Sequence, residues 1–221
     1  TLCSMCYNTV KRSNMRFKEN SEDRKKINDI MDREENYKGL TDVIHMFQLL
    51  EEVGLEKVEE NIVNELKDLK VGAYYGCTLL RPKEIAIDDP EEPQIMENLI
   101  RSLGATPVEY SNKKMCCGSY QTVLDRDSVA KLTIKIIGDA RKNGVEMLVT
   151  SCPLCAFNLD NRQKIVKKLN PSFESMPVLY FTQLMALAMG GEGEDIGLDG
   201  NYIDGKALLK KKGLLKKKVK K

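Results

Sequence analysis

The most constraining feature of the chain is Cys116-Cys117-Gly118, an adjacent cysteine pair followed by glycine. It lies between Cys77, in Tyr74-Tyr75-Gly76-Cys77, and the CxxC of Cys152-Pro153-Leu154-Cys155. The pattern is C-x38-CC-x34-C-x2-C, five thiols within 79 residues of a 221-residue chain. Soft, anionic thiolates are the ligands of iron–sulfur clusters. Adjacent cysteines do not easily share one iron, because neighbouring side chains in extended backbone point to opposite faces. In a loop or at a helix start they reach two irons of one cluster. Gly118 lets the backbone turn sharply there. Five ligands exceed the four of a tetrahedral zinc site. The spacing therefore favours a cluster at Cys77, Cys116, Cys117, Cys152 and Cys155, and leaves structural zinc on four of the five as the alternative. Nothing in the sequence suggests secretion, and clustered cysteines in a cytoplasmic chain bind metal or do redox work more often than they pair as disulfides.

The words around these cysteines, Tyr74-Tyr75-Gly76-Cys77-Thr78-Leu79-Leu80-Arg81-Pro82 and Thr150-Ser151-Cys152-Pro153-Leu154-Cys155, resemble the cysteine-rich CCG domain. In particular they resemble the B subunit of heterodisulfide reductase, over about residues 1–190. The resemblance implies an iron–sulfur oxidoreductase subunit of anaerobic, methanogenic metabolism that reduces the CoM-S-S-CoB disulfide. It implies a non-cubane [4Fe–4S] cluster on each of two CCG motifs in a full-length subunit. The implied partners are a ferredoxin-like iron–sulfur subunit and a flavin-containing subunit. A disulfide needs two electrons and iron–sulfur centres pass them singly, so two clusters flanking the S–S bond suit the task. Relatives with this domain also occur in hydroxyacid-oxidising and quinone-linked complexes, which is the second reading. A zinc-stabilised assembly module is the third.

A weak internal repeat supports a two-unit organisation. Thr1-x-Cys3-x2-Cys6 corresponds to Thr150-x-Cys152-x2-Cys155. Residues 1–69 read as the C-terminal part of a first unit, with Cys3 and Cys6 as the remnant of its site. Residues 70–190 read as a complete second unit, and 191–221 as a glycine-rich loop and lysine-rich tail. By this analogy the chain is N-terminally truncated by about 75 residues.

Secondary structure follows from periodicity. Helices are expected from Ser21, over Leu40 to Leu50 with a stop at Gly54, through Val58, Ile62 and Leu66, and from Pro90 to Gly104. Further helices are expected over Ser119 to Asn143 with Val123, Ala130, Ile134 and Ile137 inward, Ala156 to Leu169, and Thr182 to Met189. Short strands are expected at 70–76, 106–110, 145–150 and 177–180. This alternation predicts an α/β fold, a Rossmann-like parallel sheet covered by helices, with the site at the carboxyl ends of the strands.

Charge and hydropathy narrow the function further. The net charge is +2, but setting aside the nine lysines of 206–221 leaves the rest of the chain at −7. An acidic body lacks the basic face that nucleic-acid binding requires, and the tail reads as solvated. No apolar run reaches 18 residues, so no transmembrane helix is expected. A cytoplasmic location is expected, with no signal peptide visible. His45, the single histidine, reads as a core residue, with proton donation to a leaving thiolate as the sharper alternative. Arg81 is a candidate to stabilise an anionic cluster or substrate.

Overall fold

The computed structural model describes residues 1–31, 33–192 and 194–215. Four strands form one sheet: β1 (Lys70–Tyr74), β2 (Thr106–Pro107), β3 (Met147–Thr150) and β4 (Val178–Tyr180). Their order is β2-β1-β3-β4, and every pairing is parallel. The helices are α1 (Ser4–Glu19), α2 (Ser21–Ile30), α3 (Met46–Val53), α4 (Leu55–Glu59), α5 (Ile95–Ser102), α6 (Arg126–Lys142), α7 (Pro153–Asn161), α8 (Gln163–Leu169), α9 (Phe181–Ala188) and α10 (Lys206–Lys211). The α/β fold expected from the alternation is the fold observed.

Strand side chains alternate between two faces, and each face buries a separate core. Val71, Ala73, Met147, Val149 and Leu179 pack with Leu99, Ile100, Phe47 and Leu184 from α5, α3 and α9. Tyr74, Leu148 and Val178 pack on the other side with Ile136, Ile137 and Leu159 from α6 and α7. The connection through α5 thus carries the chain outward from β1 to β2 on one face. The connection through α6 returns it past β1 to β3 on the opposite face. The sheet order reverses between β1 and β3, and open parallel sheets present ligand crevices at such a reversal, beyond the strand ends.

Several elements differ from the sequence expectation, each for a local reason. The helix expected from Leu40 begins at Met46, because the His45 side chain accepts the Phe47 N–H and Gln48 accepts the His45 N–H; this reciprocal cap fixes the start. The helix expected through Leu66 ends at Glu59. The Val63 and Asn64 N–H groups bond instead to the Ala188 carbonyl. The helix expected from Pro90 starts at Ile95, where the Asp88 carboxylate accepts the Gln94 and Ile95 N–H groups. The helix expected from Ser119 starts at Arg126, capped by Asp125, and Val123 is 79% exposed rather than inward. The helix expected over Ala156 to Leu169 is two, α7 and α8, and α7 opens on Pro153, whose missing N–H costs nothing at a first helical position. In the lysine-rich tail, Lys206–Lys211 is helical and Leu209 is buried in the core, so the solvated reading does not hold there. Residues 216–221 lie outside the described ones.

Candidate metal centre

Cys77 follows the end of β1, and Cys152 follows the end of β3 as the residue that precedes α7. The two strands are adjacent in the sheet, so these cysteines flank the crevice where the strand order reverses. Cys155, one turn into α7, points back into the same place. The pair Cys116-Cys117 arrives from the loop after β2. That loop is tied to β1 by the Lys113 carbonyl, which accepts the Tyr75 and Gly76 N–H groups at 3.0 and 3.2 Å. Beneath it, the buried Lys113 ammonium lies 2.6 Å from the Glu97 carboxylate, which also takes the Tyr75 hydroxyl proton. A buried charge pair with its remaining hydrogen bonds satisfied holds one geometry, and here that geometry sets the cysteine loop against Cys77.

The sulfurs are in contact. Cys77 and Cys116 Sγ are 3.8 Å apart, and Cys117 and Cys155 Sγ are 3.3 Å apart. All seven cysteines are free. The environment sorts their protons. Cys116 is held well below the usual thiol range by hydrogen bonds from Cys117 and Cys77, with the Gly118 and Ser119 N–H groups adding to them. Cys152 is lowered to about 6 by Cys155 and by backbone N–H groups of Cys155, Leu154 and Met5. The Cys155 thiol is the largest contributor, and the N–H groups at the start of α7 add the smaller effect of a helix N-terminus on a thiolate. Cys155 is pushed well up, chiefly by its sulfur neighbours Cys117 and Cys152. Burial gives the crevice low polarity: Cys117, Cys152 and Cys155 are all nearly inaccessible.

The glycines act as the chemistry of the turn requires. Gly76 has φ +64°, and a Cβ there would sit 3.3 Å from Cys155 Sγ. Gly118 has φ +77°, and its Cβ would meet Leu132 Cδ1 at 2.8 Å. The first therefore clears a sulfur, whereas the second clears α6.

Cys3 and Cys6 are brought to the same region. Cys3 caps α1 with φ −118° and ψ 122°, and Cys152 precedes α7 with φ −122° and ψ 120°. The two motifs are joined by Ser4 and Ser151, whose hydroxyl oxygens lie 2.7 Å apart, and by the Ser4 N–H to the Ser151 carbonyl at 2.9 Å. The Tyr180 hydroxyl lies 2.6 Å from the Leu2 carbonyl oxygen and 2.7 Å from that of Ser151. Its one proton bridges the two CxxC segments.

The other two candidates have partners of their own. His45 is fully buried against Tyr7, Phe47 and Phe181. Burial lowers its pKa to about 4, and the nearby N-terminal ammonium adds to the shift. It caps α3. Arg81 is exposed and lies 3.5 Å from Glu91. Sequence reasoning missed Asn158, whose amide nitrogen is 3.2 Å from the Cys117 carbonyl oxygen and 3.7 Å from Cys117 Sγ. The available signal was its position three residues after Cys155, on the same helix face.

Fold and site together define an α/β protein that gathers cysteines at a strand-order reversal, and residues 71–160 match the cysteine-rich CCG domain. The chain is 32% identical over 206 residues to the 8-methylmenaquinol:fumarate reductase membrane anchor subunit of Wolinella succinogenes, covering 92% of this chain and 72% of that one. It is 32% identical over 208 residues to the B subunit of the ferredoxin/F420H2-dependent CoB-CoM heterodisulfide reductase of Methanosarcina acetivorans, covering 92% and 69%. A crystal structure of a hypothetical protein from Helicobacter pylori superposes with a TM-score of 0.61 at 15% identity, covering 86% of this chain and 35% of that one; this likeness concerns the fold. The chain belongs to the family of heterodisulfide reductase B subunits. No helix among the described residues is long and apolar enough to cross a membrane.

Proposed function

We propose that the chain is the iron–sulfur subunit of a disulfide reductase of the CoB–CoM heterodisulfide type. In this reading Cys77, Cys116, Cys117, Cys152 and Cys155 hold a non-cubane [4Fe–4S] cluster. The observation that carries the reading is the convergence of these five thiols on one crevice, from three separate loops. The donor set fits the group: it is soft, anionic and too numerous for one tetrahedral ion. Among the described residues, no group of three or more Cys, His, Asp or Glu side chains is gathered closely enough to hold a metal ion, which favours neither the cluster nor the zinc-stabilised module.

When bound, such a cluster supplies electrons one at a time, and a disulfide takes two. The protein's own groups do the rest. Backbone N–H groups at Gly118 and at the start of α7 stabilise thiolate charge at Cys116 and Cys152. The apolar walls around Cys117 and Cys155 exclude water. Cys3 and Cys6 are the part of a second site that 1–69 contributes, and the near-identical backbone at Cys3 and Cys152 supports a duplicated unit. So does the repeated cap, His45 with Gln48 and Tyr180 with Gln183. Electrons would come from a ferredoxin-like subunit fed by a flavin subunit. Seven free thiols suit a reducing, cytoplasmic setting.

The relative from the fumarate reductase favours a second reading, an electron-transferring subunit of a quinone-linked or hydroxyacid-oxidising complex. The test is to purify the chain anaerobically with its partner subunits and supply a reduced viologen dye. Thiol release from the CoM-S-S-CoB disulfide in step with dye oxidation, lost on Cys116→Ser, is the expected result. Dye oxidation with fumarate or a quinone but no thiol release would replace the first reading with the second.

A further inference from the structure

The hydrogen bond to Cys117 belongs to a longer relay. Asn158 is fully buried. Its amide oxygen lies 2.7 Å from Thr122 Oγ1. Thr122 Oγ1 in turn accepts from Arg162 Nε at 3.2 Å and Nη2 at 2.8 Å. A threonine hydroxyl has one proton. With two guanidinium N–H groups pointing at its oxygen, that proton goes to Asn158 Oδ1. The amide orientation is thereby fixed, with oxygen to Thr122 and NH2 to Cys117. One amide proton serves the Cys117 carbonyl, and the other reaches the sulfur.

Two further features set this donor apart. Gly118 N–H and the α7 N–H groups also serve sulfurs, but they are backbone. Asn158 donates to a sulfur from a side chain. Arg162 is buried, with its ring-face contact on Phe157 at 4.9 Å and its hydrogen bonds made to Thr122 and Asn161, all neutral. A buried cation hydrogen-bonded only to neutral groups is costly unless an anion lies nearby. In the iron–sulfur reading that anion is the ligating sulfur of Cys117, reached from Arg162 through Thr122 and Asn158.

We propose that the Arg162–Thr122–Asn158 relay sets the reduction potential of the cluster, by donating an N–H···S hydrogen bond to Cys117 and aligning a buried positive charge behind it. The inference rests on the iron–sulfur reading above. Reduction adds negative charge to the site. A donor and a cation directed at a ligating sulfur favour the reduced form, so the relay raises the potential. Asn158 and Arg162 are positioning residues and take no part in bond making.

The test compares the wild-type chain with Asn158→Leu, Thr122→Val, Arg162→Met and Arg162→Lys, each purified anaerobically. Iron and sulfide content and redox titration followed by electron paramagnetic resonance are measured for each. Asn158→Leu is expected to retain iron and sulfide and to lower the one-electron reduction constant roughly tenfold, about 59 mV more negative. Thr122→Val and Arg162→Met are expected to shift it in the same direction by less, and Arg162→Lys to recover most of the Arg162→Met shift. Intact clusters with reduction constants within about twofold of wild type in all of these variants would overturn the relay. If Asn158→Leu loses its metal, Thr122→Val and Arg162→Met decide by the same criterion. A wild-type chain that holds no iron and sulfide would instead overturn the functional reading beneath it.

Discussion

At the scale of single residues, the cysteine pair is readable because its chemistry is a matter of residue type, whereas His45 needed its surroundings. Its imidazole is packed among aromatic rings, as the core reading expects, but it also caps α3, a role that no spacing reveals. Burial holds its folded pKa at about 4 against an ordinary 6.5. Neutral His45 therefore stabilises the fold fully above pH 6.5, and this contribution is lost as pH falls towards 4, by about 3 kcal/mol. Asn at position 45 can still cap the helix and does not titrate. His45→Asn should therefore remove about that much of the loss, read from urea midpoints of metal-free protein at pH 7 and pH 4. Gly118 makes a second case. With φ +77° and a would-be Cβ 2.8 Å from Leu132, Gly118→Ala should cost at least ~2 kcal/mol. Adding Leu132→Ala should not restore it, because the backbone strain remains. Recovery to wild-type stability in the double variant would show that the contact alone matters.

At the scale of elements, the strand–helix alternation was legible because the apolar runs at 70–76 and 145–150 are short and bounded by turn residues. Their ends placed Cys77 and Cys152 correctly. Helix boundaries were less legible. A periodic pattern does not say that Asp125 will cap α6, nor that the Ala188 carbonyl will claim the N–H groups of Val63 and Asn64. The docking of α1 on the β3–α7 turn was invisible, since it joins residues 147 positions apart. It rests on Ser4 and Ser151, so Ser4→Ala and Ser151→Ala should each cost ~1 kcal/mol. The double variant should cost less than the sum by ~0.5 kcal/mol or more. Strict additivity in urea denaturation would mean that the two hydroxyls act independently.

At the scale of the whole molecule, the sheet reverses its order between β1 and β3, and five thiols from three loops meet there. Local sequence supplied the thiols, and topology supplied their convergence. Two CxxC segments with matching backbone geometry lie side by side across Tyr180. If the five thiols hold one iron–sulfur cluster, as proposed, the metal content of the chain must say so. The decisive measurement is the iron, acid-labile sulfide and zinc content per chain after purification without oxygen. About four iron and four sulfide with little zinc, falling away in Cys116→Ser/Cys117→Ser, is the predicted result. About one zinc per chain and no sulfide would contradict it.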